Sequence, residues 1–236
     1  MLTVLDLAKV ASDIYKSGEG DFARRNLISN PSTGFQGAIY ERGGFCIVAF
    51  KGTYNSEDLV SDYQLAVGRR PEQMDDATQL FEAGLGSCGA KKLILTGHSL
   101  GGALAQSIGY LTNTPFVTFN APPMATNVAN PSWFTRLRGR LYSAASYIGT
   151  PVLGGAVFAL ASKVQQLRLG SVKRELGLNV RLPYDPVSAS FWGGGHVGNV
   201  IEISPAGWSV NRHSMANVIA SLQGPSNFVG SITIDA

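Results

Sequence analysis

Few folds can accommodate the segment KKLILTGHSLGGALAQSIGYL, residues 91–111. Leu93, Ile94 and Leu95 form a short continuous apolar run, the pattern of a strand buried on both faces of a sheet. From Ala103 onward, Ala103, Leu104, Ser107, Ile108 and Leu111 recur at helical spacing. Only Gly-His-Ser-Leu-Gly-Gly lies between the two, so the chain must turn very tightly. Gly97, Gly101 and Gly102 remove the side chains that would collide in such a turn. Ser99 is then expected at its apex, in a strained conformation with its hydroxyl exposed. The G-x-S-x-G letters alone arise easily by accident. With a strand before and a helix after, they predict a nucleophile elbow.

Elements elsewhere in the chain agree with an α/β sheet. The N-terminal MLTVLDLAKVASDIYKSG places Leu7, Val10, Ala11 and Ile14 on one helical face, while Asp6, Lys9, Asp13 and Lys16 interrupt any signal-peptide apolar core. No cleavable export signal is visible there. Phe35–Tyr40 and Phe45–Phe50 read as the arms of a hairpin turning over 41–44. Helices are predicted over 56–67, with Ser56 as N-cap, and over 72–84. Further strands are predicted at PFVTF, LNVRL and NVIEI, then a helix beginning near His213 and a final edge strand in FVGSITI. Strands alternating with helices predict a mostly parallel central sheet flanked by helices. The fold expected is α/β-hydrolase-like, one domain over 1–236 with a helical insertion at 125–175.

In such sheets chemistry collects at the carboxyl ends of the strands, where Ser99 and Asp185 are both predicted to lie. A serine hydroxyl needs a base, and the base needs an orienting acid. Asp185 follows LNVRLPY and would be presented by a strand tip; flanking Pro183 and Pro186 also suit a plain solvated turn. His98 is adjacent to Ser99 and is expected to point away and pack. His213 comes after the acid, giving the order Ser…Asp…His, and His196 in a glycine loop competes with it. For the oxyanion, the Leu100 amide is one candidate donor and Thr53, directly after Gly52, the other. Two separated cysteines and three histidines predict no metal site and no disulfide framework; Cys46 and Cys88 are expected as inert thiols. The triad chemistry itself requires no cofactor.

Residues 141–162 are uncharged and lie between Arg140 and Lys163, within a stretch from Met124 to Arg181 that carries a net +7. Gly149, Pro151, Gly154 and Gly155 argue against a straight membrane span and for a bent helical pair covering the sheet. A lid whose apolar face meets lipid is the other reading. Its basic rim would favour anionic phospholipid. No nucleic-acid partner is expected.

Together FKGT with Asp62, GHSLGGALA, and YDPVS…GGGHVGNVIEI…H resemble the class 3, fungal-type lipases of the α/β-hydrolase superfamily. The resemblance runs from about Gly37 to Leu222, with a gap across roughly 125–175. It implies Ser99 as nucleophile, Asp185 as acid and Thr53 in the oxyanion hole. His196 then falls on the family's structural histidine, leaving His213 as base. FNAPP departs from the family's usual glycine-serine-proline turn. The activity implied is hydrolysis of lipid acyl esters, of lipase or phospholipase A type, at a lipid or membrane surface. A small-ester, thioester or peptide hydrolase on the same triad, or a non-catalytic lipid-binding domain, are the alternatives. The family is often secreted, so export by a dedicated machine, as for a toxin-like phospholipase, would fit a chain with no visible signal.

Overall fold

The computed structural model describes residues 1–16, 22–52, 73–89, 91–124, 177–189, 195–207 and 211–234. Thr53, Asp62, the helix expected over 56–67 and the insertion at 125–175 lie outside them. Strand β1 (Leu2–Thr3) leads into helix α1 (Val4–Asp13), whose start is fixed by a capping box. The Thr3 hydroxyl accepts from the Asp6 amide, and the Asp6 carboxylate accepts from the Thr3 amide in return. Leu7, Val10, Ala11 and Ile14 are buried, as their spacing predicts.

The main sheet has seven described strands in the order β2 (Ala23–Asn30), β3 (Phe35–Arg42), β4 (Phe45–Phe50), β5 (Lys92–His98), β6 (Phe116–Phe119), β7 (Gly177–Arg181) and β8 (Asn199–Glu202). β2, β3 and β4 pair antiparallel, and β4 through β8 run parallel. The β3–β4 hairpin turns through Gly43 and Gly44 with φ of 55° and 85°, the left-handed pair that a tight two-residue turn demands. β2 was not expected from the sequence. It is an edge strand with mostly exposed side chains, so it shows no buried face to read.

Alternate residues of β4 supply two cores. Ile47 and Ala49 join a cluster with α1 and helix α4 (Met215–Gln223). Cys46, Val48 and Phe50 face helices α2 (Met74–Ser87) and α3 (Leu100–Thr112). Helices therefore cover both faces of the parallel strands, which buries Ile94 and Leu95 fully and Leu93 in part. Among the described helices none is long and apolar enough to cross a membrane.

Two expectations are corrected. Cys46 and Cys88 are joined as a disulfide with Cα atoms 5.8 Å apart, instead of remaining thiols. Cys46 points from β4 toward the face that α2 covers, and Cys88 ends that helix directly above it. No spacing rule reveals a pairing made across a sheet and a helix. The segment FVGSITI does not edge the main sheet either. It forms a 3-10 turn at Phe228–Ser231, and then β9 (Thr233–Ile234) pairs antiparallel with β1.

Candidate active site

At the end of β5 the chain reverses directly into α3. Ser99 holds φ 56° and ψ −130°, a conformation that only surrounding structure can impose on a serine. The turn leaves no space for larger neighbours. A methyl on Gly101 would sit 2.1 Å from the Phe50 carbonyl oxygen, and one on Gly97 would sit 2.4 Å from Gly101 backbone atoms. The elbow is as expected, with one correction. The Ser99 side chain is buried instead of exposed, with Gly52 packed against the turn. Its Oγ makes no hydrogen bond.

Asp185 lies in the turn after β7 and is buried. Its Oδ2 accepts the Ser188 amide at 2.8 Å, and its Oδ1 accepts His213 Nδ1 at 2.8 Å. Burial pushes the carboxyl pKa up, but the bonds from His213 and Ser188 outweigh it, and the group is held below the usual carboxylate range. The turn is braced in its own right. The Ser188 carbonyl accepts from Arg181 NH1 at 3.2 Å and from His196 Nε2 at 3.1 Å.

The three histidines separate cleanly by their partners. His196 serves the acid turn, and burial, with Arg181 nearby, lowers its pKa, so it stays neutral. His98 is more deeply buried. Its Nε2 lies 2.6 Å from the His213 carbonyl, which can only accept, so Nε2 carries the proton and Nδ1 accepts from the Tyr15 hydroxyl at 3.2 Å. Burial, with the His213 ring 4.6 Å away, drives its pKa down to about 3. Both rings commit Nε2 to a backbone carbonyl. His213 differs, with Nδ1 bound to Asp185 and Nε2 buried without a partner. Ser99 Oγ and His213 Nε2 make no hydrogen bond to each other. They are two unsatisfied polar atoms on adjoining segments of one buried site.

Of the oxyanion candidates, Leu100 is the first residue of α3, where an amide has no partner within the helix. Thr53 lies outside the described residues. Its neighbour Gly52, just past the end of β4, lies against the elbow, and its amide donates to the Tyr15 hydroxyl at 2.9 Å. A methyl on Gly52 would approach the His98 carbonyl oxygen to 2.6 Å, which is why glycine is required there. Tyr15 thus joins Gly52 to His98, and His98 joins the elbow to the His213 segment. Sequence reasoning missed Tyr15 and Ser188 and left His98 as packing. Most of their bonds join a side chain to a backbone atom, and a residue pattern does not encode those. No described group of three or more His, Cys, Asp or Glu side chains could hold a metal ion.

Comparison with known proteins is consistent with this arrangement. A phospholipase-like family model, described as the Tle-like phospholipase domain, matches residues 16–138. The extracellular phospholipase A1 of Serratia liquefaciens is 30% identical over 139 residues, which are 52% of this chain and 43% of that protein. The chain thus spans less than half the length of this curated relative. Among solved structures, a triacylglycerol lipase from Penicillium expansum superposes with a TM-score of 0.51 at 19% identity, covering 88% of this chain and 79% of that one. That likeness shows the α/β-hydrolase type of fold.

Proposed function

The chain belongs to the family of Tle-like phospholipase domains, and from that premise we propose that it is a serine-dependent hydrolase of lipid acyl esters, of phospholipase A type. One observation carries the reading. The His213–Asp185 bond leaves His213 Nε2 buried and unpartnered beside an elbow whose Ser99 Oγ is also buried and unpartnered. Buried polar atoms without partners are costly, and a pair of them on adjoining segments is what a waiting nucleophile and base would leave.

In the reaction, His213 Nε2 takes the Ser99 proton as Oγ attacks the acyl carbonyl. Asp185, held ionised, stabilises the imidazolium through Nδ1–H. The oxyanion is received by the Leu100 amide and by Thr53. His213 then protonates the departing lysolipid alcohol, and water, activated by the same ring, releases the fatty acid. Family membership and the name of the Serratia relative favour phospholipid over triglyceride. The net +7 between Met124 and Arg181 favours anionic headgroups.

The test is acyl release from phosphatidylglycerol vesicles, phosphatidylcholine vesicles and triglyceride emulsion, with fluorophosphonate labelling in parallel. Ser99→Ala and His213→Ala should each lower turnover by about a thousandfold or more, and Ser99→Ala should abolish labelling. Turnover on anionic vesicles should fall as salt rises. Loss of activity in His196→Ala with retention in His213→Ala would reverse the assignment of the base. An unlabelled wild-type protein would remove the reaction altogether.

A further inference from the structure

Asn120 follows β6 with φ of 44° and is fully buried. It opens the NAPP turn, at the point where the resembling lipases have a glycine. Glycine would take a left-handed backbone at no cost, whereas asparagine keeps a steric penalty. Something must offset that penalty, and the side chain shows what. Asn120 Oδ1 accepts the Leu182 amide at 2.9 Å, and Nδ2 donates to the Arg212 carbonyl at 2.8 Å. Leu182 begins the turn that carries Asp185, and Arg212 directly precedes His213. A single primary amide therefore bridges the backbone of the acid segment to that of the base segment. It can do so in one orientation only, because an amide N–H donates to a carbonyl and an amide oxygen accepts from an N–H.

The hold on the base segment is double. Two successive carbonyls, those of Arg212 and His213, are each taken by a side chain from the carboxyl end of a parallel strand, Asn120 after β6 and His98 on β5. β5 and β6 are hydrogen-bonded neighbours that pair His98 with Phe119, so the two anchors share one rigid support. The Asn120 backbone N–H in turn donates to the Val180 carbonyl at 2.9 Å, tying the same point to β7. With two successive carbonyls fixed, the peptide planes from which the His213 ring springs are fixed too.

We propose that Asn120 is a positioning residue of the active site: its amide sets the distance and angle between the Asp185 carboxylate and the His213 ring by clamping their two backbones together. This rests on reading Asp185 and His213 as the acid and base. Asn120 touches neither side chain, so its effect travels through backbone position. It belongs to this chain's own turn, not to the glycine form of it.

The experiment pairs Asn120→Gly, which fits the backbone and removes the clamp, with Asn120→Asp, which retains shape and the acceptor for Leu182 but cannot donate to Arg212 as a carboxylate. Three readouts are followed: the low-field NMR signal of the His213 Nδ1 proton, kcat and KM on a soluble short-chain ester, and the thermal midpoint. In Asn120→Gly the proton signal should broaden or vanish, and kcat should fall by about tenfold to a hundredfold with KM little changed. The thermal midpoint should barely move, since relief of the backbone offsets the lost bonds. Asn120→Asp should lose the proton signal in the same way, and it decides the matter if the glycine variant fails to fold. A wild-type proton signal and wild-type kcat in a folded variant would overturn the proposal, whatever happened to the thermal midpoint. Should the wild type show no Ser99-dependent turnover, the hydrolase reading would fail separately, while the Nδ1 proton would still report whether Asn120 holds the pair.

Discussion

Among the described residues, four that are not glycine have positive φ, namely Ser99, Asn113, Asn120 and Tyr184. Asn113 is an ordinary left-handed helix end after α3. The other three sit at the elbow, at the proposed clamp and directly before Asp185. Tyr184 is the least expected of them, a bulky residue at φ 61° with 89% of its surface exposed. Because its ring buries almost nothing, Tyr184→Gly should raise stability, by about 0.5–1 kcal/mol, as measured by urea unfolding. A loss of stability instead would mean that the ring makes contacts that hold the turn. At this scale the sequence was legible where local backbone dictates a residue type, as in the glycine-flanked turn at Ser99. It was silent where a side chain serves a remote backbone atom. His98 binds a carbonyl 115 positions away and Asn120 one 92 positions away, and no local pattern records either bond.

Elements with one face in a core announce themselves by period, and elements without one do not. The β3–β4 hairpin, β5, α3 and α1 each bury a continuous face or stripe and were legible in outline. β2 escaped because Arg24 and Arg25 occupy successive positions and Leu27 is half exposed, so it lacks alternation. The link between β4 and α2 escaped for another reason, since a cysteine pair shows its partner only in space. Cys46 and Cys88 are 42 positions apart, and joining them limits how far the unfolded chain can spread. Reduction should therefore cost about 2–4 kcal/mol of stability. Thermal unfolding with and without a phosphine reductant checks this, and a Cys46→Ala/Cys88→Ala double variant should lose the sensitivity to reductant. Identical curves for oxidised and reduced wild type would show that the bond contributes nothing.

For the molecule as a whole, histidines kept neutral make stability depend on pH. His98 and His196 both have pKa values lowered by burial, His98 to about 3. An unfolded histidine takes up its proton near pH 6.5, whereas these two refuse it when folded, so the unfolded state binds more protons below that pH. Stability should accordingly be level above about pH 6.5 and decline below it, at up to about 1.4 kcal/mol per pH unit for each histidine. Asp185 has the depressed carboxyl of a bonded pair, so its contribution persists above the ordinary carboxylate value, about 3.9, and is lost as acid reaches its folded pKa. Urea unfolding between pH 7 and pH 5 tests the histidine part. Gln at 196 could still donate to the Ser188 carbonyl, so His196→Gln should flatten the slope by one histidine's share; parallel curves would show that His196 is not held neutral.

The small β1–β9 ladder has a consequence of its own. Leu2 faces Ile234 and Thr3 faces Thr233, so the polypeptide path is stapled almost into a loop, with α1 and its Tyr15 following directly from the staple. Tyr15 hands that anchorage on to Gly52 and His98, so peeling the ladder apart would be felt at the Ser99 turn, far along the chain.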